Sequence, residues 1–371
     1  MRNVVVESPM LKPRKLIADL SPYHSPILSR EGLTLDLNES MAGCSPRVLK
    51  RLRALTPADL SLYPYRETGE RLVADFLDLD PAQVLLTNGM DEALSLLFSA
   101  YLGADDELLF ADPTFVMYPM LGHALGAKMV RPQSAQDMAL PVAAILDHIS
   151  PRTRVIAIAN PNNPTGLVAS RADLRKIAEA APDAAVLIDE AYFEFCGATL
   201  TCRTSTSQSL IPDLGQHPNL FVARTFSKAY GLAGLRIGVL AGPAEQIDYL
   251  RRLSLPFNVN SVALACLEEA LADRSFVSEH VAQVKRGREQ LAHLFEELGL
   301  QFWPSQTNFV LVRVGVPAND FVKAMHRHRV VVRDASGNPG CEGCVRITVG
   351  TPVQMEQVLR AIRASLASLS S

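Results

Sequence analysis

The sequence predicts a layered α/β fold: a three-layer sandwich with a mostly parallel central sheet, followed by a smaller α+β domain. Three observations lead there. Short continuous apolar runs recur through the first part of the chain, as in strands buried on both faces. Helical apolar spacing fills the gaps between them. Near Pro256 the texture changes to long helical segments, then short strands and a closing helix.

The elements follow in order. Gln83–Thr87 is an apolar run that predicts a strand. Asp91–Leu102 has helical spacing, and Asp91 and Glu92 suit the dipole at its start. Glu107–Phe110, Arg154–Ala159, Ala185–Ile188, Asn219–Ala223 and Ile237–Ala241 predict further strands. Ser170–Ala181 predicts a helix with Ser170 as N-cap. Beyond Pro256, helices are expected at Ser261–Leu271, Phe276–Leu298, Asn319–His328 and Gln354–Leu366. Strands are expected at Phe309–Val314, Val330–Arg333 and Val345–Val349. Residues 1–40 show little periodicity and are expected to run along the surface of both parts. Residues 41–255 then form a large domain and 256–371 a small one.

Composition sets the outer bounds. The 371 residues are 48% apolar and 20% charged, enough to bury a core, which excludes a disordered chain. The 36 basic and 39 acidic residues balance to −3, so nucleic acid is not an expected partner. No apolar run nears the roughly 18 residues that span a bilayer. The N-terminus lacks a secretory apolar stretch. The expectation is a cytoplasmic protein with free thiols, its six cysteines being too few for a disulfide scaffold. Cys341 and Cys344 form a CxxC, but no second pair stands near it, and no metal site is expected. Only eight of the basic residues are lysines, so chemistry that needs a primary amine has few places to sit.

Ligands of such sheets gather at the carboxyl ends of the strands. After Ala159 comes Asn160-Pro161-Asn162-Asn163-Pro164-Thr165-Gly166, a rigid turn presenting amides. After Ile188 come Asp189, Glu190 and Tyr192. After Ala223 come Thr225, Ser227, Lys228 and Arg236, hydroxyls and a guanidinium suited to a phosphate beside an amine among small and apolar neighbours. Gly89, Met90 and Asp91 open a helix whose backbone N–H groups suit one phosphate. The glycine pattern is neither that of a dinucleotide site nor that of a P-loop, which disfavours a dehydrogenase. A strand-end lysine, a strand-end Asp with a Tyr, an amide on a rigid turn and a one-phosphate cradle together describe a site for pyridoxal 5′-phosphate.

These residues, with Leu37-Asn38-Glu39, Tyr63-Pro64, Asp112-Pro113-Thr114-Phe115, Asn308-Phe309 and the segment from Cys344 to Thr351, resemble the fold-type-I pyridoxal phosphate aminotransferases. Within them the chain is similar to the histidinol-phosphate aminotransferase family. The resemblance implies that Lys228 forms a Schiff base with the cofactor and that Asp189 pairs with the ring nitrogen. It implies that Asn163 and Tyr192 bind the ring hydroxyl and that Phe115, where relatives often carry Tyr, stacks on the ring. Gly89, Met90, Asp91, Thr225, Ser227 and Arg236 would hold the cofactor phosphate. Tyr63 would reach the cofactor of a second subunit in a homodimer with shared sites. Arg346 would bind a carboxylate, and Tyr23, Asn38 and Arg333 would lie on the substrate side. Asp36 stands where the family has Asn.

The activity so implied is ping-pong transfer of an amino group between a small-molecule donor, histidinol phosphate, and a 2-oxo acid acceptor. Aromatic amino-acid aminotransferases and threonine-phosphate decarboxylase share these motifs. A non-catalytic pyridoxal phosphate-binding regulator would be expected to carry a DNA-binding extension, and none is visible.

Overall fold

The computed structural model describes residues 11–21, 31–197 and 208–370. The strands, in chain order, are β1 (Leu33–Thr34), β2 (Val84–Thr87), β3 (Glu107–Leu109), β4 (Lys128–Val130), β5 (Thr153–Ala159), β6 (Ala185–Asp189) and β7 (Leu220–Thr225). They continue with β8 (Gly238–Ala241), β9 (Gln301–Phe302), β10 (Phe309–Arg313), β11 (Val330–Val331), β12 (Arg333–Asp334) and β13 (Cys344–Thr348).

Seven strands form one sheet in the order β2-β8-β7-β6-β5-β3-β4, and only β8 runs antiparallel to its neighbours. Alternation along the central strands explains the continuous apolar runs. Val155, Ala157, Ala185, Leu187, Phe221 and Ala223 face one core, and Ile156, Ile158, Val186, Ile188, Leu220 and Val222 face the other. The first face is covered by helices α1 (Gly89–Tyr101) and α2 (Met117–Leu125) and by Ala244–Leu253. The second is covered by the helices Arg66–Leu77, Arg171–Ala180 and Ser261–Ala272. That makes three layers.

The core of the second face continues into a four-stranded antiparallel sheet, β12-β13-β10-β9, with α3 (Arg274–Glu297) and the helices Ala318–Arg327 and Pro352–Ser370 around it. Among the described residues, no helix is long and apolar enough to cross a membrane.

Three details depart from expectation. The run Val330–Arg333 divides at the buried Val332. Its first half pairs with β1, and its second with β13 through Arg333 and Arg346. Residues 33–38 do not run along a surface: Leu35, Asp36 and Asn38 are buried, and Leu35 is clamped between β11 and β13 by Leu35 N–H to Val331 O and Thr348 N–H to Leu35 O. Helix α2 carries Pro119 and Gly122, which obscured it in the sequence. Pro119 sits in the first turn, where its missing N–H costs nothing, and a Cβ at Gly122 would stand 2.6 Å from Leu108.

Candidate active site

The carboxyl ends of β5, β6 and β7 lie side by side, with Ala159 opposite Asp189 and Asp189 opposite Ala223. They open into a cleft of about 190 Å³. It gathers Met90, Asp91, Phe115, Asn163, Asp189, Tyr192, Thr225, Ser227, Lys228 and Arg236. A second cleft of about 90 Å³ shares Phe115 and Asn163 and brings in Arg333 and Arg346. Tyr63 is elsewhere: it is 75% exposed and stacks on Phe257, ring centres 4.3 Å apart. Tyr23 lies outside the described residues.

Asp189 ends β6 on the face covered by α1 and α2. Its Oδ2 accepts the Tyr118 hydroxyl (2.9 Å) and its Oδ1 the Ala191 N–H (3.0 Å). Burial pushes its pKa up to about 6, and these two bonds offset only part of that. Lys228 Nζ donates to the Leu37 carbonyl at 3.1 Å. Among the described residues, no carboxylate stands within ion-pair distance of it. Burial, then the nearby Arg346 cation, lowers its pKa to about 8. The site therefore keeps an amine close to neutrality and a carboxyl that awaits a cation.

Tyr192 is buried edge-on to Phe309, and its hydroxyl accepts from Asn38 Nδ2 at 2.9 Å. Asn38, at φ +56°, is tied on by Thr348 Oγ1 donating to its Oδ1 (3.0 Å) and by Asn308 Nδ2 donating to its carbonyl (3.0 Å). Arg346 Nη1 donates to Asn163 Oδ1 at 2.6 Å, and Nη2 donates to the Asp36 carbonyl. Burial raises the Asp36 carboxyl's pKa although Arg333 and Arg346 pull it down.

The cradle beside β7 is built for an anion. Helix α1 begins at Gly89 with no side-chain cap from Asn88, so its first N–H groups face the cleft without a helical acceptor. Thr225 Oγ1 donates to Ser227 Oγ (2.9 Å) and accepts from Ser227 N–H (3.2 Å). Arg236 lies across Gly89 and bonds Asp91 at 3.0 Å. A Cβ on Gly89, which also has φ +76°, would stand 2.7 Å from Arg236 Nη2. Uncapped N–H groups, two hydroxyls and a guanidinium fit a phosphate. The amine, the buried carboxyl and the flat face of Phe115 fit an aromatic ring bearing a carbonyl carbon and a basic nitrogen. The donor set thus fits pyridoxal phosphate.

Sequence reasoning missed Tyr118. Its signal was the three-residue step from Phe115, which stands just ahead of α2 and whose carbonyl accepts the Tyr118 N–H at 3.2 Å. The Phe115 and Tyr118 rings meet at 89° with centres 5.8 Å apart. It also missed the Leu37 carbonyl, which no side-chain pattern reports.

Residues 30–362 match the family model for aminotransferase class I and II. The chain belongs to that family and is a transaminase. It is 36% identical over 333 residues to histidinol-phosphate aminotransferase 2 of Methylococcus capsulatus, covering 88% of each chain. With histidinol-phosphate aminotransferase 2 of Pseudomonas aeruginosa it shares 36% over 337 residues, covering 89% of this chain and 88% of that one. Within the class it therefore groups with the histidinol-phosphate aminotransferases. The crystal structure of histidinol-phosphate aminotransferase from Sinorhizobium meliloti, in complex with pyridoxal 5′-phosphate, has the same fold. Its TM-score is 0.86 at 24% identity, over 98% of this chain and 99% of that one.

Proposed function

We propose that this transaminase moves an amino group between histidinol phosphate and 2-oxoglutarate, using pyridoxal 5′-phosphate held at the carboxyl ends of β5–β7. The observation that carries the substrate reading is the pair Arg333 and Arg346. They are direct neighbours across β12 and β13 and line the cleft that adjoins the cofactor site. Two guanidinium groups there suit a phosphate or a dicarboxylate, the anionic ends of the two substrates.

When bound, the cofactor supplies a carbonyl carbon for amines and a ring that accepts the electron pair released at Cα. Lys228 would hold the cofactor, and its free amine, which burial keeps below the usual lysine range, would move the proton at substrate Cα. Asp189 would keep a proton on the ring nitrogen, and Tyr118 and the Ala191 N–H hold Asp189 in place. Tyr192 and Asn163 would orient the ring hydroxyl and Phe115 would stack on the ring, while Asn38 fixes Tyr192. Gly89, Met90, Asp91, Thr225, Ser227 and Arg236 bind the phosphate. Arg346 takes the carboxylate of glutamate, and Arg333, with Tyr23, takes the distal anion.

The working form we propose is a cytoplasmic homodimer, with 41–255 holding the cofactor and 256–371 supplying the arginines. Leu60, Leu62, Tyr63, Tyr65, Leu255 and Phe257 are exposed apolar side chains, more than an isolated surface needs. Burying them against a second copy would place Tyr63 at the partner's phosphate. A substrate panel tests the function: histidinol phosphate, phenylalanine, tyrosine and threonine phosphate, each with 2-oxoglutarate. Histidinol phosphate should show the highest kcat/KM. A higher value for an aromatic amino acid, or CO₂ release from threonine phosphate, would overturn the substrate assignment.

A further inference from the structure

We propose that His280 is a positioning residue for Lys228, acting through the Ala229 carbonyl and the turn at Ser40–Gly43; this rests on Lys228 being the reactive amine. His280 lies on α3 and is buried, its ring edge-on to Phe195 with centres 5.7 Å apart and 6.3 Å from Phe276. Its Nδ1 is 2.9 Å from the Ala229 carbonyl oxygen. A carbonyl only accepts, so Nδ1 carries the proton and Nε2 faces Ser40 Oγ at 3.4 Å. The imidazole thus spans two chain segments that wall the amine.

The first segment is the Lys228 turn, closed by Gly231 N–H donating to the Lys228 carbonyl at 3.2 Å. Ala229 is the next residue after Lys228, so a bond to its carbonyl fixes the Ala229–Tyr230 peptide, one peptide beyond Lys228 and inside the turn that Gly231 closes. The second segment runs from Leu37 to Gly43. Its Leu37 carbonyl receives Lys228 Nζ, its Asn38 holds Tyr192, and its Ser40 hydroxyl stands between two acceptors, the Gly43 carbonyl at 2.9 Å and His280 Nε2 at 3.4 Å, and gives its one proton to either in turn. The two turns also touch directly. A Cβ at Gly231 would stand 1.8 Å from Gly43 O, and Gly231 has φ +70°, so glycine alone permits the approach. The segments are far apart in sequence, and beside the bond of Lys228 to Leu37 they are joined by this glycine contact and by one imidazole from a third element. Proton transfer at the substrate depends steeply on where the amine sits, so a loosened turn slows turnover while leaving substrate affinity largely intact.

The test compares three variants of the cofactor-loaded full chain. His280→Phe keeps the ring volume and loses both contacts. His280→Asn puts an amide N–H near the Nδ1 position, and Ser40→Ala removes the far contact together with the Ser40–Gly43 bond while leaving the Ala229 contact in place. His280→Phe should lower kcat about tenfold with KM changed less than about twofold, the order expected from a small misplacement. Amide exchange should quicken in residues 226–232 and 37–43 and nowhere else. His280→Asn should recover most of kcat and slow exchange in 226–232 alone. Ser40→Ala should quicken 37–43 alone.

Wild-type kcat in His280→Phe overturns the proposal. So does a loss accompanied by faster exchange throughout the chain, an Asn variant no better than Phe, or unchanged exchange in Ser40→Ala. Failure of the underlying reading looks different: Lys228→Ala would then keep its turnover.

Discussion

Two buried charged clusters flank the ends of β6 and β7, and they are built on opposite rules. On the face toward the Arg171–Ala180 helix, Glu190 and Arg224 are fully paired. Arg224 reaches Glu190 at 2.8 Å and packs over Phe193, while Ser209 and the Leu210 N–H complete the carboxylate's shell. On the cleft face, one residue away on each strand, Asp189 and Thr225 lead to Lys228. There, among the described residues, the carboxyl meets only neutral donors, and the amine bonds a carbonyl and faces the Tyr192 ring. Period-two alternation sends Asp189 and Thr225 one way and Glu190 and Arg224 the other. The rear cluster satisfies itself and serves the fold. The front cluster is left incomplete and open to the cleft, as a ligand site would be.

The largest effect should come from the front. Lys228→Ala should fold normally and lose turnover by several orders of magnitude, because among the described residues no other lysine lines the cleft. Steady-state kinetics checks this, and wild-type turnover would end the assignment. The rear should answer in stability. Arg224→Ala strands a buried Glu190 and should cost about 3–5 kcal/mol, measured by denaturant unfolding of the cofactor-free protein. An equal loss in Lys228→Ala would erase the contrast between the clusters.

The pH dependence sharpens the same contrast. Asp189 has a raised pKa in the fold, so its burial cost is absent below about pH 4, grows as pH rises and is complete above about 6. Lys228 has a lowered pKa, so its cost is absent above about pH 10.5, grows as pH falls and is complete below about 8. Together they should cut a trough in the stability of the cofactor-free protein between about pH 6 and 8. Asp189→Asn combined with Lys228→Met should remove the trough, raising the melting temperature at pH 7 while abolishing activity. A double variant less stable than wild type at pH 7 would contradict this.

The smallest effect belongs to Tyr118→Phe. Losing one bond to a carboxylate should weaken cofactor binding by about 1.5 kcal/mol, roughly tenfold in Kd, with stability nearly unchanged. Fluorescence titration with the cofactor reads it.

Much of the front cluster was legible in the sequence because strand ends are. An apolar run stops, and the next residues line the cleft: Asn163, Asp189, Thr225, Lys228. The partners that complete the site were not. Tyr118 reaches Asp189 from a helix whose sequence is masked by Pro119 and Gly122, and His280 reaches Ala229 from a long helix that reads simply as amphipathic. The break at Val332 was hidden as well, since Val330–Arg333 looks like one strand until two different neighbours claim its halves. Local pattern reports which residues end an element, whereas the meeting of distant elements is decided by packing.

The most direct test of the central claim is reductive trapping. The protein is incubated with pyridoxal phosphate, reduced with borohydride, digested and mapped by mass spectrometry. Of the eight lysines, Lys228 alone should carry the cofactor, one per chain. A label on any other lysine, or none at all, would contradict the account.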